Sequence, residues 1–90
     1  MRMKVTHEMT FARRCPVDDA LDQYELCVET TRTVKVEDIL AAIEALPEKA
    51  FQEEITAALA AKLGCSVTTI GYHSGVKTTC TSVTGEYVKC

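Results

Sequence analysis

An alternation of apolar and polar residues at the start of the chain is the feature that most constrains its fold. Across residues 1–11 the odd positions are mostly apolar and the even positions are polar, and the same period of two returns over residues 24–30. A period of two is typical of strands that bury one face. The two segments predict an antiparallel hairpin, whose long connection is the stretch RCPVDDALDQYE at residues 14–25.

The period then lengthens to that of an α-helix. Apolar residues recur at helical spacing over residues 36–46, where Pro47 stops the run, and this predicts a first helix. A second helix is predicted over residues 51–63, with acidic residues in its first turn and Gly64 as its C-terminal cap. The middle of the chain is therefore predicted to be helical.

The last third of the chain returns to strand-like composition. Segments rich in threonine and valine at residues 66–72 and 76–83 predict two more strands, joined by a turn at residues 73–75. The order ββααββ predicts an α+β fold, with one four-stranded antiparallel sheet and two helices on one face, in a single domain over residues 1–90. Because both outer strands of such a unit are unpaired edges, we expect several copies to close edge to edge into a ring-shaped homo-oligomer with active sites between subunits.

Composition limits the class of protein. A chain of 90 residues that is 47% apolar and carries a net charge of -3 describes one small soluble domain. No apolar run approaches the length of a membrane span, and the negative charge gives no basic footprint for nucleic acid. Five cysteines without CxxC spacing are typical of reduced thiols in the cytoplasm, where we expect the protein. Structural roles are expected for four of them: Cys27, Cys65, Cys80 and Cys90.

Several residues are informative because of the spacing between them. Cys15 is followed by Pro16, an aspartate stands seven residues after the cysteine at Asp22, and residues 51–53 read Phe-Gln-Glu. With the order ββααββ, this set resembles the tunnelling-fold (T-fold) superfamily and, within it, the QueF and QueF-like family. The motif of that family is Cys-Pro, five variable residues and Asp, with Phe-His-Glu later in the chain. The resemblance runs over residues 14–82 and departs from the motif at Gln52, which replaces the histidine. Since each piece is weak by itself, the resemblance depends on the joint spacing.

The resemblance implies one of two reactions on a nitrile. The reductase branch uses NADPH and carries a signature near Glu-Ser-Lys-Ser-Leu-Lys at the start of the first helix, where this chain reads TVKVEDIL at residues 33–40. The missing signature favours the cofactor-free QueF-like amidinotransferases, which convert the nitrile of 7-cyano-7-deazaguanine to the amidine of archaeosine with ammonia. Two alternatives stay open: NADPH-dependent reduction of the same nitrile to 7-aminomethyl-7-deazaguanine, and a non-catalytic ring protein that binds a deazapurine. The substrate is either a free base or a base within a nucleic acid.

The roles of the site residues follow from the chemistry and from the resemblance. Attack on a nitrile carbon needs a thiolate and a proton donor for the nitrogen, roles that Cys15 and Asp22 would fill through a covalent thioimide. A carboxylate can accept hydrogen bonds from adjacent ring N–H and amino groups, and the resemblance gives that part to Glu53. Glu54 would replace Glu53 if the register shifted by one residue, and Gln52 would contact the substrate near the nitrile.

Other polar residues near the motif are given structural interpretations. Asp18 and Asp19 are interpreted as loop acids that bind water or cap a turn. His7 is interpreted as a core or edge histidine and His73 as a turn residue. The basic pair at residues 13–14 would help to hold the thiol deprotonated if it faced the sulfur. No metal site is predicted, because a zinc site would need a second thiol and a histidine that converge with the motif cysteine.

Overall fold

The chain folds in the predicted order ββααββ in the computed structural model, which describes residues 3–82. A four-stranded antiparallel sheet in the order β1-β2-β3-β4 carries both helices on one face, which confirms the predicted fold class. The elements are β1 (Val5–Arg14), β2 (Leu21–Thr30), α1 (Val36–Glu44), α2 (Gln52–Leu63), β3 (Ser66–His73) and β4 (Val76–Ser82).

The first hairpin is longer and its loop shorter than the sequence pattern predicts. Arg13 pairs with Asp22 and Arg14 with Leu21, so that only residues 15–20 connect β1 and β2. Backbone pairing continues past the end of the alternation because these ladder bonds do not depend on which side chains are apolar. Parts of two predicted strands lie outside the described residues, namely the first two residues of the first strand and Val83 of the last. Cys90 lies outside them as well.

The register of the sheet decides which side chains meet the helices. Phe11 stands opposite Tyr24, and Tyr24 stands opposite Gly71 on β3. Residues at every second position from these form the sheet side of the core, where Val28 and Val67 are completely buried. Burial of each such side chain contributes about 1.5–3 kcal/mol to folding. The pairing register therefore fixes one apolar face of the sheet under the helices.

The connection between the helices is attached to the end of β1. The backbone N–H of Arg14 donates to the carbonyl of Glu48 (3.0 Å), and that of Ala50 donates to the carbonyl of Arg14 (3.3 Å). The Arg13 guanidinium donates to the carbonyls of Pro47 (3.0 Å) and Ile43, at the C-terminal end of α1. These bonds place the start of α2 beside the loop that follows β1.

The ends of α2 and β3 show one agreement with the sequence prediction and one difference. Gly64 ends α2 in the left-handed conformation, with a φ of 67°, as predicted. The tight turn after β3 consists of Ser74 and Gly75, both at positive φ, so His73 is the last residue of the strand rather than a turn residue.

Within the described residues, neither helix has the length and apolar character needed to span a membrane.

Candidate active site

A cavity of about 340 Å³ lies where the β1–β2 loop, the start of α2 and the end of β3 meet. Its size is within the usual range for small-molecule sites. It brings together four of the predicted site residues, Cys15, Asp22, Gln52 and Glu53, although they come from three different parts of the chain. The complete lining is Cys15, Pro16, Val17, Asp18, Asp22, Tyr24, Ala50, Phe51, Gln52, Glu53, His73 and Thr78.

The backbone of the β1–β2 loop fixes the position of Cys15. Its N–H donates to the carbonyl of Ala20 (2.8 Å), and its carbonyl accepts from the N–H of Asp19 (2.9 Å). Asp19 has a φ of 63°, a left-handed conformation that aspartate tolerates better than most residues. An ion pair between Asp19 and Lys49 (3.0 Å) ties the loop to the connection between the helices. The thiol therefore sits on a closed, hydrogen-bonded loop and is partly exposed.

Asp18 caps the turn and lines the same cavity as Cys15. Its Oδ1 accepts a hydrogen bond from the N–H of Ala20 (3.0 Å), which is the turn-capping interaction interpreted from the sequence. The thiol of Cys15 is also near enough to this carboxylate to affect its pKa. The backbone N–H of Ala20, followed by the thiol of Cys15, lowers the pKa of the Asp18 carboxyl. Asp18 is thus a neighbour of the predicted nucleophile.

Asp22 is directed to the helix side of the sheet, where His73 contacts it. The side chain of Asp22 is 11% exposed and that of His73 is 37% exposed, with 3.2 Å between Oδ2 of Asp22 and Nδ1 of His73. The distance fits an ion pair, but the ring is not aligned for a hydrogen bond of good geometry. No other donor within the described residues serves this shielded oxygen. Asp22 and His73 consequently form a close carboxyl–imidazole pair in the cavity wall.

Tyr24 forms the floor of the site above Gly71. A Cβ atom at Gly71 would lie 2.6 Å from Cε1 of the Tyr24 ring, so only glycine allows the ring to approach the strand this closely. Burial, followed by the negative charge of Asp22, raises the pKa of Tyr24 to about 12. The tyrosine therefore stays protonated in the folded protein at ordinary pH.

The Gln52 amide is held in one orientation by the sheet. Its Nε2 donates to the carbonyls of Thr69 (3.2 Å) and Thr78 (3.0 Å) and to the hydroxyl of Thr69 (3.1 Å). Since carbonyls only accept, the NH₂ group must face them. Thr56 completes the network, because its hydroxyl donates to the carbonyl of Gln52 (2.8 Å) and lies 2.7 Å from the hydroxyl of Thr69. Oε1 of Gln52 has no partner among the described residues.

The two adjacent glutamates of α2 have different surroundings. Glu53 lines the cavity, beside Phe51, which is 47% exposed. All the predicted site residues lie within the described range 3–82, and Glu54 is the one among them that does not line the cavity. Instead, its Oε1 accepts a hydrogen bond from the N–H of Phe51 (3.2 Å) at the start of the helix. The structure therefore brings Glu53 to the site and uses Glu54 as a helix cap. The catalytic and binding roles themselves stay predictions.

The basic pair and the other thiols have structural surroundings. The guanidinium of Arg13 donates to the carbonyls at the end of α1 that are described above. The guanidinium of Arg14 donates to the carbonyl of Asp19 (3.1 Å) and pairs with Glu48 (3.7 Å). Both side chains therefore have partners outside the cavity lining. Burial raises the pKa of the thiols of three other cysteines: Cys27, Cys65 and Cys80.

Three titratable residues of the cavity wall were not identified as site residues from the sequence. The sequence pattern predicts a loop position for Asp18, a turn position for His73 and an apolar strand position for Tyr24. A usable signal existed for His73, since the alternation in β3 gives it the same parity as Thr69 and Gly71 on the helix side. Asp18 carried no such signal, because the conformation of a short loop is not periodic.

Comparison with known proteins identifies the fold. No protein-family model and no curated protein matches the sequence. Among solved structures, the fold is similar to a crystal structure described as the archaeosine synthase QueF-Like in the apo form, with a TM-score of 0.81 and 19% sequence identity. The match covers 94% of this chain and 96% of that one. The predicted resemblance to T-fold proteins of the QueF-like type is confirmed for the fold.

Proposed function

We propose that the protein is a QueF-like enzyme, which attacks the nitrile of 7-cyano-7-deazaguanine, free or in a nucleic acid, and converts it to an amidine with ammonia. The observation that carries this proposal is the meeting of Cys15, Asp22 and Glu53 in one cavity. They are the nucleophile, the proton donor and the base-binding carboxylate that the chemistry requires. The shared fold with an archaeosine synthase supports the same reaction class.

The shape and chemistry of the cavity suit a flat heteroaromatic base. Phe51 and Val17 expose apolar surface at its rim, with 47% and 79% of their residue surface accessible. A planar ring that lies against them buries apolar area on both partners. The Glu53 carboxylate then accepts from the adjacent ring N–H and amino groups of the deazaguanine.

The proposed reaction has two stages. The Cys15 thiolate forms a C–S bond to the nitrile carbon, while the nitrile nitrogen takes the proton of the Asp22 carboxyl, which gives a neutral thioimide. Ammonia then attacks the same carbon, a C–N bond forms and the C–S bond breaks, with its electron pair returning to sulfur. The product leaves as an amidinium ion, and Asp22 regains one proton from solution. Nitrile, ammonia and one proton therefore balance the amidinium.

The charge of the cavity favours ammonia over NADPH as the second reactant. The carboxylates of Asp18 and Glu53 contribute to its lining, and in the proposed reaction Asp22 becomes a third once its proton has moved to the nitrile nitrogen. Their combined negative potential attracts ammonium and N–H donors and opposes the phosphates of a nicotinamide cofactor. Gln52, whose amide does not titrate, is proposed to bind the substrate beside the nitrile rather than to transfer protons.

A ring-shaped homo-oligomer is part of the proposal. The outer strands β1 and β4 each have a neighbouring strand on one side only within the described sheet. Edge-to-edge pairing of several copies would satisfy their remaining backbone groups. The cavity would then be completed by a neighbouring subunit.

Turnover with two alternative reactants tests the proposal. The purified protein is incubated with 7-cyano-7-deazaguanine and either isotopically labelled ammonia or NADPH, and the products are identified by mass spectrometry. A product heavier by one molecule of labelled ammonia is expected, and Cys15→Ala abolishes it, whereas the matched control Cys27→Ala retains it. A product of reduction instead would replace the proposal with the reductase, and bound but unmodified ligand would favour the non-catalytic alternative.

A further inference from the structure

We propose that His73 is the positioning residue for Asp22: its Nδ1–H holds Oδ2 of Asp22, so that the acid proton resides on Oδ1 at the cavity. This inference depends on the proposed function, because it assigns the orientation of the acid in that reaction. It goes beyond that function by giving a role to a residue outside the Cys-Pro and Phe-Gln-Glu motifs.

The sheet register places the two side chains together. Tyr24 pairs with Gly71, so the next residues on the same face of the two strands, Asp22 and His73, also lie side by side. Nδ1 of His73 is 3.2 Å from Oδ2 of Asp22. The imidazole also stands 6.2 Å, between ring centroids, from the ring of Tyr24, which limits its movement. The contact therefore follows from the backbone pairing and from neighbouring packing.

Burial distinguishes the two oxygens of Asp22. Oδ2 is shielded from solvent and, among the described residues, has no aligned donor. Asp22 also lines the cavity, with 11% of its side chain exposed, and the proposal places Oδ1 on that side. A shielded carboxyl oxygen without a donor is unfavourable, and a small rotation of the His73 ring supplies one.

The protonation state of the pair can be argued from its contacts. Two lone pairs facing each other at 3.2 Å would repel, so either Nδ1 of the imidazole or Oδ2 of the carboxyl carries a proton. An Nδ1–H group would serve Oδ2, which otherwise has no donor among the described residues, and this favours Nδ1–H. Oδ2 then only accepts, which leaves the acid proton for Oδ1.

Heteronuclear NMR of the imidazole nitrogens tests the pair without any substrate. The wild-type protein is expected to show the Nδ1–H tautomer of His73 above neutral pH, and Asp22→Asn is expected to weaken that preference. Free imidazole side chains favour the other tautomer. An Nε2–H tautomer in the wild type would overturn the proposal, because Oδ2 would then carry the proton and point it away from the cavity.

Kinetics test the consequence for catalysis. His73→Leu is expected to lower kcat about 10- to 100-fold, less than Asp22→Asn at about 100- to 10,000-fold, with KM changed less than about threefold. His73→Asn places an N–H donor where Nδ1 stands and is expected to retain more activity than His73→Gln, whose donor lies one bond farther out. Tyr72→Phe, on the opposite face of the same strand, is the control.

The outcomes separate this inference from the proposed function. Equal activity of the leucine, asparagine and glutamine variants of His73 would overturn the positioning role, even if the wild type makes the amidine. A loss shared by all variants together with a fall in thermal stability would show a merely structural role and overturn it as well. If the wild type does not react with the nitrile, the proposed function fails and the catalytic placement fails with it. The tautomer measurement would still show whether the carboxyl–imidazole pair exists.

Discussion

Replacement of Gln52 by methionine removes the donor that anchors the start of α2 to the sheet. The Gln52 amide donates to the carbonyls of Thr69 and Thr78, and the residue is only 4% exposed. The bond to Thr69 is buried, so water cannot replace it, and the bond to Thr78 is partly buried. Methionine keeps the length and apolar volume of the side chain but donates nothing. The variant therefore isolates the polar contribution of the network.

The size of the effect follows from counting unpaired groups. Two carbonyls and the Thr69 hydroxyl lose a donor, but the hydroxyl keeps its contact with Thr56. Each buried carbonyl costs about 1–3 kcal/mol when left unpaired, and the partly buried Thr78 carbonyl costs less. The substitution also removes the unpaired Oε1 of Gln52, which offsets the cost of one group. The net loss is then that of one group, about 1–3 kcal/mol in the free energy of unfolding. For a chain of this length the melting temperature falls by roughly 5–20 °C.

Urea unfolding followed by circular dichroism measures this loss at one fixed protein concentration. Lys62→Met, on the exposed side of the same helix, is the matched control and is expected to change stability by less than about 0.5 kcal/mol. If Gln52→Met were as stable as the wild type, the network would not hold α2 against the sheet. The account of how this part of the site is positioned would then be wrong.

Three further predictions concern the cavity wall. Gly71→Ala is expected to destabilise the fold by about 1–3 kcal/mol, because the new Cβ displaces the Tyr24 ring. The same substitution in a Tyr24→Leu background should cost much less, and equal losses in both backgrounds would contradict the contact. The folded state keeps Tyr24 protonated up to a pKa of about 12, whereas unfolded tyrosine ionises near 10, so stability should fall as pH rises between these values. Tyr24→Phe should flatten that decline, and an unchanged pH profile would refute it. Iodoacetamide should alkylate Cys15 before the other cysteines of the described residues, whose thiol pKa values are raised by burial, and peptide mass mapping that finds Cys80 modified first would contradict this order.

Much of the fold follows from periodicity alone. The change of hydrophobic period predicted six elements in the correct order, and Gly64 ended α2 where a left-handed residue was expected. Strand ends were less predictable, since β1 and β2 continue through polar residues whose pairing depends on backbone bonds. Periodicity reports burial, and it carries no information where both faces of a strand are polar.

Only the residues of the motif could be predicted as part of the site. The spacing of Cys15 and Asp22 and the position of Glu53 identified three cavity residues through the resemblance, and the structure brings them together. The contact of His73 with Asp22 depends on the pairing of β2 with β3, strands that are separated by both helices along the chain. Such a long-range contact requires the register, which a single sequence does not fix.

The orientation of Gln52 could not be predicted either. The sequence marks the residue as a departure from the family motif and as a predicted substrate contact, but it gives no sign of which groups the amide binds. Its role as a buried donor appears when Thr69 and Thr78, from two different strands, are seen to present carbonyls to the start of α2. The replacement of histidine at this position is thus accompanied by a hydrogen-bond network that suits an amide.

The intact mass of the protein after incubation with 7-cyano-7-deazaguanine tests the central claim most directly. The reduced wild-type protein, without ammonia or NADPH, is expected to gain the mass of one ligand as a thioimide on Cys15. Cys15→Ala should gain nothing, and Cys27→Ala should gain the same mass as the wild type. A wild-type mass that does not change, with no rise in melting temperature on addition of the ligand, would contradict the account and leave the likeness to the archaeosine synthase as one of fold only.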